Sequence, residues 1–207
     1  MTIAIIGTGS VGAALGRAFS DLGHAITFGS RHPEHEDVQA LATDLGADVS
    51  LPEDAARGAD LVVLAVPGEV AVERAAALGD LGGAVLLDTT NVADWSRLLP
   101  PDSEDSLGER VQAAAPTARV VKGFHTLAAQ RIGSGHFGSG QASLFLSGDD
   151  AEAKALVAGL AKALGFEAID TGGLDRARLT EAMALLWISL AGPQGWGRDF
   201  SFAVVRD

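Results

Sequence analysis

Five histidines, fifteen lysines and arginines, and neither cysteine nor tyrosine form the reactive inventory of this 207-residue chain. Without cysteine there is no thiolate to act as nucleophile or metal ligand, and no disulfide. Without tyrosine there is no phenol to protonate a reduced carbonyl, which excludes the Tyr-x-x-x-Lys arrangement of short-chain dehydrogenases. Proton movement or a polar contact at a reacting centre then falls to histidine. His125, within Lys122-Gly123-Phe124-His125-Thr126-Leu127, follows a strand and opens a long glycine-rich loop. It is the one catalytic candidate, and it either touches a substrate or fixes its loop through a hydrogen bond. Lys122 reads as structural rather than as a general acid. No metal-ligand set is assigned.

The second chemical signal is Gly7-x-Gly9-x-x-Gly12. In a dinucleotide site the first glycine permits a tight turn, the second lets backbone approach a pyrophosphate, and the third lets a helix pack closely on a strand. Thr8, Ser10 and Val11 add lining, and the amides opening the helix face the phosphates. The spacing alone also suits an ordinary strand-to-helix turn. Its place after an apolar N-terminal strand, opening an amphipathic helix, makes it a nucleotide site.

About 20 residues on, an NAD site carries an acid that binds the ribose 2'-hydroxyl. Here the second strand ends in Phe28-Gly29-Ser30-Arg31. A carboxylate would repel a 2'-phosphate, whereas a serine hydroxyl and an arginine fork bind it through charge-assisted hydrogen bonds. The expected cofactor is therefore NADP(H). His32 lies beside the adenine or phosphate, or is a solvated loop histidine. Val66, Pro67 and Asn91 close two further strands and are nicotinamide or ribose neighbours, or simply strand terminators. Asp88 either orients a neighbouring hydroxyl or caps a turn.

Alternating strand and helix patterns must hold these residues. Strands are expected at Thr2 to Ile6, Ala25 to Phe28, Asp48 to Ser50, Leu61 to Val66, Ala84 to Leu87, Arg119 to Lys122, Ser143 to Leu146 and Phe166 to Ile169. Helices are expected at Val11 to Leu22, Val38 to Leu45, Val70 to Leu78, Leu107 to Ala114, Ala151 to Leu164 and about Arg176 to Ala191. Gly46 should close the second helix, and Asp149 or Asp150 should cap the one at Ala151. Leu179, Met183, Leu186 and Leu190 fall on one side of the last helix, with Trp187 broadening the stripe. Pro100 to Ser106 reads as a surface loop, and Gly123 to Gly140 is too long for a plain connector. The pattern is that of an α/β Rossmann-type, doubly wound, mainly parallel sheet. One domain spans 1–207, with 172–207 as a small C-terminal helical appendage.

A hydrophobic fraction of 47% against 20% charged residues allows a substantial core. The net charge of −12 would repel nucleic acid and anionic lipid, so neither is an expected partner. The N-terminus shows no basic leader and no apolar run approaches the roughly 20 residues that span a bilayer. A cytoplasmic protein, probing a small-molecule hydride donor or acceptor as a homodimer, is the expectation.

Taken together, Gly7-Thr8-Gly9, Gly29-Ser30-Arg31-His32-Pro33-Glu34, Val121-Lys122-Gly123-Phe124-His125-Thr126-Leu127 and Asp170-Thr171-Gly172-Gly173-Leu174 resemble the NADPH-dependent deazaflavin reductase family. These are the NADP oxidoreductases that use coenzyme F420, and the nucleotide domain of STEAP-type metalloreductases is similar. The resemblance covers nearly the whole chain, including the closing helix with Trp187. It implies that Thr8, Ser30 and Arg31 hold the 2'-phosphate side of NADP. It also implies that His125, Thr126 and Leu127 touch a deazaflavin, or a flavin, over the nicotinamide, with hydride passing between the two rings. Such an acceptor delocalises the charge it gains, so positioning supplies most of the catalysis. The tail Gly192-Pro193-Gln194-Gly195-Trp196-Gly197-Arg198-Asp199-Phe200 departs from that pattern. Two other readings use the same nucleotide site: a reductase of another small organic substrate, and a non-catalytic NADP-binding sensor or subunit presenting Trp187, Trp196, Phe200 and Phe202.

Overall fold

The computed structural model describes every residue except Asp102 and Ser139, so those two positions of the expected loops lie outside the described residues. Strand β1 (Thr2–Ile6) feeds helix α1 (Ser10–Asp21), and β2 (Ala25–Gly29), α2 (Glu36–Leu45) and β3 (Asp48–Ser50) follow. A short helix α3 (Pro52–Ala56), not expected from the sequence, leads to β4 (Leu61–Leu64), α4 (Gly68–Ala77) and β5 (Val85–Asp88). Then come α5 (Leu107–Ala114), β6 (Arg119–Lys122) and a small hairpin of β7 (His136–Phe137) and β8 (Gly140–Gln141). The chain continues through β9 (Ser143–Ser147), α6 (Ala151–Ala163), β10 (Glu167–Gly172) and α7 (Ala177–Ala191).

Eight strands form one sheet in the order β10-β9-β6-β5-β4-β1-β2-β3. The run from β3 to β6 is parallel throughout, which is the Rossmann-type arrangement expected. At β6 the direction reverses: β9 pairs antiparallel through Lys122 and Ser147, and β10 lies parallel to β9. Alternation along each strand divides the core. Ile3, Ile5 and Val63 face one layer with α1, α2 and α6, whereas Ala4, Ile6 and Val62 face the other with α3, α4 and α5. Among the described residues no helix is long and apolar enough to cross a membrane.

Helix ends follow local chemistry. Gly46 takes the left-handed conformation at φ 60° and closes α2. Ser106 and Glu109 form a complete capping box on α5. Of the two aspartates expected to cap α6, Asp150 accepts from the Ala153 amide, while Asp149 accepts from Leu174 N and ties the turn between β9 and α6 to the entry of α7.

Helix α7 differs from its expected orientation. Its buried side is Ala177, Thr180, Ala184, Leu185 and Trp187, and two leucines of the expected stripe face outward, Leu179 at 64% and Leu186 at 51% exposure. The helix turns its Ala177 to α5, where a Cβ on Gly108 would lie 3.2 Å from both the Ala177 Cβ and the Leu174 Cδ1, and buries Leu185 and Trp187 instead of the two outward leucines.

The turn after β1 is built on two tight approaches. Gly7 has φ +112°, and a Cβ there would lie 2.4 Å from the Ala65 carbonyl oxygen. A Cβ on Gly12 would lie 2.0 Å from the Gly7 oxygen, whereas one on Gly9 would meet nothing within 4 Å. Gly12→Ala is therefore expected to destabilise the protein by about 1–3 kcal/mol through overpacking, and Gly9→Ala by less than about 1 kcal/mol. Urea midpoints of the two variants check this, and equal midpoints would contradict the packing argument.

Candidate functional site

Three adjoining clefts open at the carboxyl ends of the parallel strands, the usual ligand position in such a sheet. The first, of about 460 Å³, is lined by Gly7, Thr8 and Gly9 from the turn, by Ser30, Arg31 and His32 after β2, and by Val66 and Pro67 after β4. The second, of about 420 Å³, gathers Gly9, Ser10, Val11, Val66, Pro67, Asn91, His125 and Leu127. The third, of about 590 Å³, shares Ser10, Val11 and Leu127 with the second and runs to α7 and the tail.

Nearly all the residues singled out in the sequence thus converge on one continuous crevice. Two do not line it. Gly12 lies behind the turn as a packing contact, and Thr126 is buried. Arg74 and His35 join the first cleft, Glu69 and Trp95 the second, and Arg198 the third, none of them singled out as ligands beforehand. Arg74 lies two turns into α4, but nothing local marks that position as facing the cleft. The other four depend on tertiary packing.

The first cleft is cationic in a strongly acidic protein. Arg31, Arg74, His32 and His35 line it; no carboxylate is on the lining itself, although Glu73 lies 3.2 Å from Arg74 and Glu34 lies 3.7 Å from His32 just outside it. Arg31 has no ion-pair partner among the described residues, and the Ser30 hydroxyl oxygen accepts from His32 N at 3.1 Å, leaving its own hydrogen free to donate. At the turn, α1 has no side-chain cap and no acid in its first turn. Its uncapped amides and the open side of Gly9 leave a backbone cradle suited to a phosphate chain.

A buried ion cluster backs the second cleft. Lys122 Nζ donates to Asp88 Oδ2 at 2.9 Å and to the Thr90 carbonyl at 2.6 Å, and lies 3.2 Å from Glu181 Oε1. Asp88 also accepts from the amide and hydroxyl of Thr90, so it both orients a hydroxyl and closes the turn. Glu181, from α7, accepts from the Leu107 and Gly108 amides that open α5. One ammonium and a helix N-terminus together offset two carboxylates. Lys122 is fully buried within this cluster.

Beyond this cluster the chain turns sharply through Phe124, a non-glycine residue at φ 60° whose ring packs edge-on against Phe19 and Phe166. His125 is thereby held at the cleft, and its backbone carbonyl accepts from Asn91 Nδ2 at 3.1 Å. Both ring nitrogens of His125 and Asn91 Oδ1 are buried and make no well-formed hydrogen bond, although the Gly123 and Thr180 backbone stands beside the imidazole and favours its protonated form. Buried polar atoms are normally satisfied, which marks Asn91 Oδ1 as the one of the three best placed to serve a ligand's polar group. Burial, reinforced by the nearby Lys122 charge, pushes the His125 imidazole down to about 3. It is neutral at physiological pH. Across the cleft, Glu69 accepts from Trp95 Nε1 at 2.6 Å, and that hydrogen bond lowers its carboxyl further, keeping it ionised.

Residues 2–92 match the family described as "NADP oxidoreductase coenzyme F420-dependent". Over 209 aligned residues the chain is 30% identical to the F420-dependent NADP reductase of Methanocaldococcus jannaschii, covering 92% of each. It is 29% identical to the metalloreductase STEAP3 of Rattus norvegicus over 88% of this chain, but spans only 36% of that protein's length. Among solved structures, a candidate F420-dependent NADP-reductase from Arthrobacter sp. superposes with a TM-score of 0.91 at 36% identity, covering all of both chains.

Two consequences concern stability. Between about 3 and the ordinary histidine value of 6.5, an unfolded chain binds a proton at His125 that the native protein excludes. Stability from this site rises with pH through that window and is lost as pH falls, by up to about 1.4 kcal/mol per pH unit. His125→Asn should flatten the acid limb of a urea-midpoint profile, and an unchanged limb would show that the ring is protonated in the native state. Lys122→Met leaves Asp88 and Glu181 without their cation and is expected to cost about 3–5 kcal/mol in chemical denaturation. A near-neutral result would mean that the cluster relaxes to water.

Proposed function

The chain belongs to the F420-dependent NADP reductase family, and on that premise we propose that it moves a hydride between NADP(H) and a deazaflavin or flavin-like ring within the crevice. As a member of that family it is an NADP-dependent oxidoreductase. The choice of acceptor and the residue roles are our assignments. In them the 2'-phosphate lies against Ser30 and Arg31 with Arg74 and His32 nearby, the pyrophosphate over the Gly7 to Gly12 turn, and the nicotinamide in the cleft of Val66, Pro67, Asn91 and His125.

The observation that carries the ring acceptor is the shortage of acid at the second cleft. His125 is neutral, Glu69 is ionised, and the Lys122 ammonium is fully buried in its own ion cluster. A carbonyl reduced there would develop alkoxide charge with no strong protein acid to receive it. A conjugated tricyclic ring spreads that charge over itself and asks the protein chiefly for placement. When bound, NADPH supplies the hydride. The chain's residues hold the rings: His125 can donate from one nitrogen and accept at the other, Asn91 Oδ1 can accept, and Val11 and Leu127 exclude water. His125 is thus assigned a direct ligand contact, with Leu127 beside it, and Thr126 supports the loop from behind.

NADPH oxidation followed with F420, with free flavins and with a carbonyl panel tests this reading. Turnover of the ring acceptors is expected; brisk carbonyl turnover without it would reject the proposal. Arg31→Ala should weaken NADP by about 10–100-fold, the scale of a lost charge-assisted hydrogen bond, and NAD much less. Equal weakening of both would undo the 2'-phosphate assignment.

A further inference from the structure

The third cleft contains a charge that neither the nucleotide nor the hydride step uses. Its volume is about 590 Å³, and its walls are Val11 and Ala14 of α1, Leu127 to Ala129 after the His125 turn, and Trp187 and Ile188 of α7. Arg198 is the only charged residue on that lining. It has no ion-pair partner among the described residues, although Asp199 beside it is engaged by Arg131 at 3.4 Å.

The tail places this arginine deliberately. Just before it, the Trp196 and Gly197 amides donate to the carbonyls of Leu190 and Ala191 at 3.0 and 3.1 Å. Just after it, the Phe200 ring stacks on Trp187 with centroids 5.1 Å apart, and Trp187 Nε1 donates to the Phe200 carbonyl. Farther on, the Ser143 amide donates to the Phe202 carbonyl, extending the anchorage to the edge of β9. The backbone on both sides of Arg198 is thus anchored, and its exposed side chain stands at the mouth of the cleft.

We propose that Arg198 is a specificity residue for the acceptor: it recognises an acidic group, phosphate or carboxylate, carried on the side chain of the acceptor ring. The inference rests on the ring-acceptor reading above. An apolar cavity continuous with the nicotinamide cleft accommodates the flat or aliphatic parts of such a molecule. A guanidinium at its edge offers two parallel donors to an oxyanion. With a net charge of −12, the protein as a whole repels anionic ligands, so a local, unpaired cation has a correspondingly large effect on which acceptors bind. The cleft carrying Arg198 does not include Gly7, Thr8 or Gly9, which separates it from the cradle assigned to the pyrophosphate.

The test uses two probes that differ only by a terminal phosphate group, 5-deazariboflavin and its 5'-phosphate, titrated by fluorescence against the intact protein saturated with NADP. The wild type is expected to bind the phosphate form about tenfold or more tightly, as a charge-assisted hydrogen bond allows. Arg198→Ala should bring the ratio of the two dissociation constants near one, Arg198→Lys should retain part of the preference, and Arg198→Glu should invert it. NADP titration and urea midpoints on each variant establish that the fold is intact. A preference that survives in Arg198→Ala overturns the assignment, as does a wild type that binds both probes equally. Weakened NADP with the ratio unchanged also overturns it, because Arg198 would then serve the nucleotide. If the wild type binds neither probe, the ring-acceptor reading itself fails and this inference with it.

Discussion

A single ammonium in the interior ties α7 and the start of α5 to the ends of β5 and β6. Lys122 ends β6, its partner Asp88 ends β5, and its other partner Glu181 stands on α7 while accepting from the first amides of α5. Four elements from distant parts of the chain are thereby fixed to within hydrogen-bond distances. A charge in such a place is costly unless every neighbour satisfies it. The same contacts place Thr90 and Asn91 on one wall of the cleft and start the turn that presents His125 on the other.

The electrostatics of the crevice divide along its length. Where the 2'-phosphate is assigned, two arginines and two histidines line the cleft with no acid on the lining itself. Where hydride would move, burial silences His125 and hydrogen bonding keeps Glu69 charged. The enzyme is thus built to hold ligands by charge at one end and to withhold protons at the other. That division suits a reaction in which the two rings carry the electronic change and the protein supplies distance and dryness.

The nucleotide half was legible because its residues lie close in sequence and obey short-range rules. Three glycines, one strand and the strand end at Ser30 and Arg31 are related by the fixed geometry of a βαβ unit. Helix α3 carried a readable signal as well, Pro52 at its start followed by Glu53 and Asp54. Thr126 was harder, because the positive φ of Phe124 re-aims the residues after it, and sequence spacing does not report that twist. Arg74 and Arg198 reach the crevice only through packing of whole elements. The outward leucines of α7 show the same limit: helical spacing identified a stripe, but tertiary packing decided that Leu185 and Trp187 face inward and Leu179 and Leu186 do not.

The reversal of the sheet at β6 has a consequence for how such a protein can be altered. Everything from β1 to β6 is joined by continuous parallel ladders, whereas β9 meets β6 through Lys122 and Ser147. The ladder is thin at that seam, and side chains hold its two sides together: Phe124 packs against Phe19 and Phe166, and Lys122 pairs with Glu181. The N-terminal half could be retained as a nucleotide cassette and the segment after Phe124 exchanged for one shaped to another acceptor. Such a graft would have to preserve both a carboxylate at the position of Glu181, to meet the ammonium on the other side, and an aromatic ring at the position of Phe166, to pack on Phe124.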